Sequence, residues 1–338
     1  MAKTHYDVGT WTPQESWRTI RNVRAAPHQA ISSVLKSDRL DVFHMALEQS
    51  EQLFRSAAAV ERETRPILLF YGLGQAGRAL AAASRNLAHG EWRASGHGLR
   101  THLDKTTSAD IWNLDTSVET DKSDLFSRAS RALDSAVDIA DVSLGEAAAN
   151  SLEFVFEFRD FRQYPRVVQL GSIKAIESWA QTQQSDSVRF PIEIDDDEDI
   201  ETFLRSVPAL SSFDYWREQD GKPARDHNGN LLITVPPTAI KHVGGQGRLR
   251  SEQSYRGTNV AIRALGRASA PVHPLLVWWL ILYPLSMLAR YEPRKWQQVL
   301  NVRTSRSWSQ IEYLNDRALD AIPQLLAEAL QNLNKDNA

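Results

Sequence analysis

Residues 275–289 read LLVWWLILYPLSMLA and carry no charge. A run of this kind belongs either in a bilayer or at the centre of a folded protein. A helix needs about 20 apolar residues to cross hydrocarbon. This run is shorter, and Pro284 interrupts it. It therefore predicts a buried core helix. A helix that is apolar on every side must be covered on every side, so the rest of the chain has to supply several amphipathic partners.

The sequence contains them. Leu40, Phe43, Leu47, Phe54, Ala57 and Ala58 recur at helical spacing. Residues 67–84 are dense in Leu, Ala and Gly. Leu125, Ala129, Ala132, Leu133, Ala136, Val137 and Ala140 form a further stripe, and Ser143-Leu-Gly-Glu146 has the pattern of a capping box. Trp308, Ile311, Leu314, Ala318, Ile322, Leu325 and Ala329 close the chain as another stripe, which Pro323 is expected to kink or divide. Of the 338 residues 42% are hydrophobic, enough for one large core or two ordinary ones.

The middle of the chain changes character. Phe154, Phe156 and Phe158 alternate with polar or smaller residues, as a strand would. Val188, Phe190, Ile192 and Ile194 alternate as well, with Pro191 favouring an edge position. Residues 231–235 form a third β-like run after the turn signal Asp226-His-Asn-Gly-Asn230. The expected fold is mainly α, a helical body with a small β-containing insertion. The expected organisation is an N-terminal arm (1–39) with Trp11 and Trp17, a helical region (40–151), a small β-containing module (152–240), a basic Gly-rich loop (241–257), and a C-terminal helical region (258–330) that packs on 40–151.

Seven of the nine residues in 193–201 are acidic, and the segment reads as a solvated acidic loop. Residues 241–267 hold Lys241, Arg248, Arg250, Arg256, Arg263 and Arg267 against the single acid Glu252. Such a segment can contact nucleic-acid phosphates, through Lys241, Arg248, Arg250 and Arg256 in the first place, or pair with the acidic run or a partner protein. The net charge of −3 argues against a globally basic nucleic-acid binder. With no cysteine in the chain, disulfides, thiolate metal sites and cysteine nucleophiles are excluded. Residues 1–10 lack an apolar leader segment, so a cytoplasmic location is expected, with no membrane association.

Two signals bear on chemistry. Gly72, Gly74 and Gly77 satisfy the G-x-G-x-x-G spacing of a dinucleotide site, a nucleotide-binding alternative. The second strand and its acidic residue are missing, however, because HGEWRASGHGLR occupies that place. No cofactor is therefore expected. In the other reading Ile67, Phe70, Tyr71, Gly74 and Arg78 share one face of a helix. Secondly, His89, His97 and His102 lie close together in sequence beside Arg93 and Arg100. A histidine with an arginine supplies a general base and a phosphate-stabilising cation without a metal. His97 and Arg93 are the nearest pair. No metal site is expected, since no carboxylate follows the histidines at ligand spacing.

Taken in order, Pro66-Ile-Leu-Leu-Phe-Tyr-Gly72, Gly96-His-Gly-Leu99, Val142-Ser-Leu-Gly-Glu146 and the stretch from His273-Pro-Leu275 through Arg290-Tyr-Glu-Pro-Arg-Lys-Trp296 resemble the YaaC-like family of bacterial proteins. The matches span about residues 40–330 and depart from the family near Leu152, where a proline is expected. The resemblance implies a helical protein and brings no activity with it. A more distant likeness is to the HEPN helical superfamily, many of whose members cut RNA without a metal using an arginine and a nearby histidine. Arg93 and His97 stand one residue closer than that pattern, whereas Arg267 and His273 have its spacing. The leading functional expectation is a cytoplasmic interaction module of a multiprotein, defence-type system, with a protein partner or homo-oligomer and possible nucleic-acid contact through 241–267. The alternative is a HEPN-like RNase using His97 with a nearby arginine.

Overall fold

The structure, a computed structural model, describes residues 11–103, 108–118, 123–161, 163–170, 173–174, 188–194, 198–243, 246–266, 268 and 270–335. The first part of the chain forms α1 (Pro13–Ala25), α2 (Gln29–Ser32), α3 (Asp38–Ala59) and α4 (Arg65–Ala83). A small sheet of β1 (Leu99–Thr101), β2 (Asp115–Val118) and β3 (Val142–Ser143) follows, with α5 (Leu125–Ala132), α6 (Leu144–Ala149) and α7 (Leu152–Glu157). The chain ends in α9 (Pro274–Tyr291), α10 (Pro293–Val299) and α11 (Trp308–Asn332).

The uncharged run is the centre of this body. Helix α9 buries Trp278 and Trp279 completely, and His273 caps it by accepting the Leu275 N–H on Nδ1 at 3.1 Å. It is long and apolar enough to cross a membrane, yet 78% of it is buried inside the protein. Helices α4, α6 and α11 cover it. The glycines of α4 make that cover possible. A Cβ placed on Gly77 would lie 2.5 Å from the Trp279 ring, so the missing side chain lets that ring pack directly on α4. Gly72, Gly74 and Gly77 thus stand inside a helix and not at a strand-to-helix turn. One hydrophobic cluster runs from Trp17 of α1 to Leu333, just past α11. The capping box at Ser143 and Glu146 is present with both reciprocal bonds.

Between the helical halves lies a β-rich region with its own core. Strands β6 (Val188–Ile192), β8 (Leu231–Val235) and β7 (Asp214–Tyr215) pair antiparallel in that order, and α8 (Ile200–Ser206) packs Phe203 and Leu204 onto them. β6 carries Pro191 at the sheet edge, as its sequence predicts.

Several expectations need correction. Residues 152–157 are helical, because Phe154 and Phe158 are also four apart, and that spacing brings their rings to 4.9 Å on one helix face. Helix α5 stops at Ala132, where Asp134 turns the chain with φ 50° and Ala136 N–H donates to Pro271 O. Helix α11 runs through Pro323 without dividing. The segment expected as a basic loop is largely strand: β9 (Ile240–Val243), β10 (Gln246–Leu249) and β11 (Gln253–Tyr255), followed by β12 (Thr258–Ala261). β9 pairs with β10, and β11 with β12. Strand β12 continues the sheet through β4 (Val168–Gln169), and β10 pairs with β5 (Ile173–Lys174). Arg267 lies outside the described residues.

Candidate functional site

Helix α4 presents Tyr71 and Arg78 two turns apart on one face. The loop from α4 to β1 returns across that face and places the His97 ring against Phe70 at 5.2 Å and Tyr71 at 5.9 Å, edge to face. Backbone bonds fix the loop. Phe126 N–H donates to His97 O at 3.2 Å, and Tyr283 of α9 donates its hydroxyl proton to Leu99 O. Gly98 has φ +80°, and a Cβ there would overlap the Asp124 carboxylate, so only glycine fits beside the histidine.

Arg290 reaches the same place from the last turn of α9. Its guanidinium lies 5.4 Å from the centre of the Tyr71 ring and 4.7 Å from that of Tyr291, and Nη2 donates to the Tyr291 hydroxyl at 2.8 Å. Arg78 reaches the Ala94 carbonyl at 3.5 Å. Among the described residues neither Arg78 nor Arg290 forms an ion pair. Both cations act on the histidine. Burial first, then the charges of Arg290 and Arg78, hold the His97 pKa below its ordinary value. The imidazole is therefore neutral at neutral pH and can accept a proton, next to two guanidinium groups that lack carboxylate partners.

This is not the pair that sequence proximity suggests. Arg93 is exposed, bonds Asp38 at 2.8 Å and stacks on Trp92 at 4.8 Å. Its charge is not among those that shift His97. Gly96 and Gly98 both have positive φ, so residues 93 and 97 share no helix face. His89 sits in a turn with φ +46°, and His102 is exposed. The face carrying Tyr71 and Arg78 is legible as a helical period. The arrival of Arg290 is not, because it depends on how α9 threads the body.

The basic segment is mostly occupied internally. Arg256 is buried, a correction to its expected phosphate contact: Nη1 bonds Glu153 at 2.8 Å and Nε bonds Gln324 at 2.9 Å. Tyr255 donates to the same Glu153 at 2.6 Å and accepts from Trp278 Nε1 at 2.8 Å. Arg248 donates to Asn259 at 2.7 Å and stands 3.9 Å from Glu252. Burial raises the Glu252 pKa, opposed by Lys241 and Arg248. Arg250 is exposed and bonds Thr238 O at 3.0 Å, and with Lys241 it borders a cleft of about 400 Å³. Arg263 is held by the acidic run. Its guanidinium bonds both carboxylate oxygens of Glu198, at 2.7 and 2.9 Å, and stacks on Phe203 at 4.5 Å. Asp199 of the same run caps α8 through Thr202 N–H.

Fold and site together define a helical protein with a β-rich insertion, whose His97, Arg78 and Arg290 cluster lies on the helical body. The family described as YaaC-like protein matches residues 14–330, and the chain belongs to that family. No curated protein and no solved structure matches it.

Proposed function

We propose that the chain cleaves RNA without a metal ion at the His97 site. In this reading His97 removes the proton of a ribose 2′-hydroxyl, whose oxygen attacks the adjacent phosphorus. Arg290 and Arg78 hold the phosphate oxygens as negative charge builds on them. The 5′-oxygen leaves with a proton from solvent, and a 2′,3′-cyclic phosphate remains. The observation that carries the reading is a neutral, half-buried imidazole beside two arginines that form no ion pair among the described residues. The HEPN-like resemblance supports the same chemistry, with Arg290 in the role first given to Arg93. The protein would act in the cytoplasm, with RNA as its partner.

The test is incubation with mixed RNA in EDTA. Cleavage leaving 2′,3′-cyclic phosphate ends is expected. It should disappear in His97→Ala and in Arg290→Ala, with both variants shown folded by their melting curves. Arg290→Lys should keep part of the activity, since it retains the charge and loses the fork. RNA left intact by stoichiometric wild-type protein overturns the reading and favours the interaction module.

A further inference from the structure

Tyr291 is the last residue of α9 and is 57% exposed, among the most exposed of the large hydrophobic side chains. It is nonetheless held in place. Its hydroxyl accepts from Arg290 Nη2 at 2.8 Å, and its ring lies 4.7 Å from the same guanidinium. Arg290 in turn sits over Tyr71, whose ring meets His97. The body thus positions an aromatic ring at the edge of the site while leaving it in water, where it contributes little to the core.

Resting on the RNA-cleaving reading above, we infer that Tyr291 is a stacking platform for the base of a nucleotide next to the scissile phosphate, and that the substrate is single-stranded RNA. A phosphate held by Arg290 has its neighbouring bases within reach of the ring beside that guanidinium. Stacking between a base and an aromatic side chain is tolerant of sequence and is strong enough to set affinity. A duplex keeps its bases paired and stacked on one another, so it cannot offer one to Tyr291. Tyr71 is excluded from this role because its ring is half-buried under Arg290 and His97.

The test is steady-state kinetics on a labelled single-stranded RNA and on the same strand annealed to its complement. Tyr291→Ala should raise KM about tenfold, with the loss in KM rather than kcat. Tyr291→Phe and Tyr291→Trp, which keep a ring, should stay close to wild type, and the annealed strand should resist cleavage. An unchanged KM in Tyr291→Ala, or equal cleavage of the duplex, overturns the inference while leaving the RNase reading intact. If Tyr291→Phe behaves like Tyr291→Ala, the residue only orients Arg290 through its hydroxyl, and the inference also fails. If wild type cleaves nothing, anisotropy with a fluorescein-labelled 2′-O-methyl single strand decides. Binding weakened by Tyr291→Ala and kept by Tyr291→Phe sustains the platform alone, and no binding by wild type removes the platform and the RNase reading together.

Discussion

The helical body and the β-rich region secure their interiors by different means. In the body, α9 is surrounded by helices, and one continuous apolar cluster does the work. The β-rich region has a smaller core around Phe190, Leu231, Ile233 and Val235 and strands of only two to five residues. It is fastened by charge: Arg263 to Glu198 within the region, and Arg256 to Glu153 and Gln324 across to the body. The contrast shows where function can reside. Some of the charges that stand out by number in the sequence serve as fasteners, whereas Arg78 and Arg290, which form no ion pair among the described residues, stand beside His97 at a site with no unusual composition.

The contrast predicts a graded set of responses. Leu282→Asp places an unpaired charge at a fully buried position of α9 and should cost about 4 kcal/mol or more, with loss of cooperative folding in chemical denaturation. A variant that melts like wild type would remove α9 from the core. Arg263→Ala leaves Glu198 without the Nη2 that donates to both of its carboxylate oxygens and should cost about 3 kcal/mol. Its effect should stay regional: hydrogen exchange should accelerate over residues 188–194 and 198–235 while α4 and α9 remain protected. Equal acceleration in both regions would mean that the two do not differ in how they are held.

A third effect, reaching its full size only at the acid end of the range, concerns pH. Burial lowers the His273 pKa to about 4, and its unprotonated Nδ1 accepts the first N–H of α9. The unfolded chain takes up this proton near the ordinary value of 6.5 and the folded chain only near 4. Stability from this group is therefore complete above pH 6.5 and is lost as pH falls toward 4, by up to about 3 kcal/mol. His273→Asn keeps a capping acceptor and has no titration, so the difference in unfolding free energy between variant and wild type should change across that window and be flat above it. A difference that stays flat from pH 7 to pH 4 would show that the ring is solvated.

Parts of both regions were legible in the sequence because their signals are one-sided. An uncharged run with no strand alternative forces α9, the Ser143 capping box fixes the start of α6, and strict alternation over Val188, Phe190 and Ile192 reads only as β6. Phe154, Phe156 and Phe158 satisfy two periods at once, and the packing of Trp112 and Phe161 against Phe154 decides for the helix. Strands β9, β10 and β11 were hidden because glycines and basic residues break up any strict apolar alternation there. Half the site was readable as the Tyr71 and Arg78 face of α4. The other half required knowing that α9 ends beside His97, a long-range fact that no local pattern encodes.

Photocrosslinking compares the two regions directly. A single-stranded RNA carrying 4-thiouridine, bound to His97→Ala protein so that it stays intact, can be irradiated and its attachment points mapped by mass spectrometry. Crosslinks are expected in peptides containing Tyr71, residues 94–98 and Tyr291, on the helical body. A map dominated by residues 240–257, where Lys241 and Arg250 border their cleft, would place RNA on the β-rich region and contradict the assignment of the site to the body.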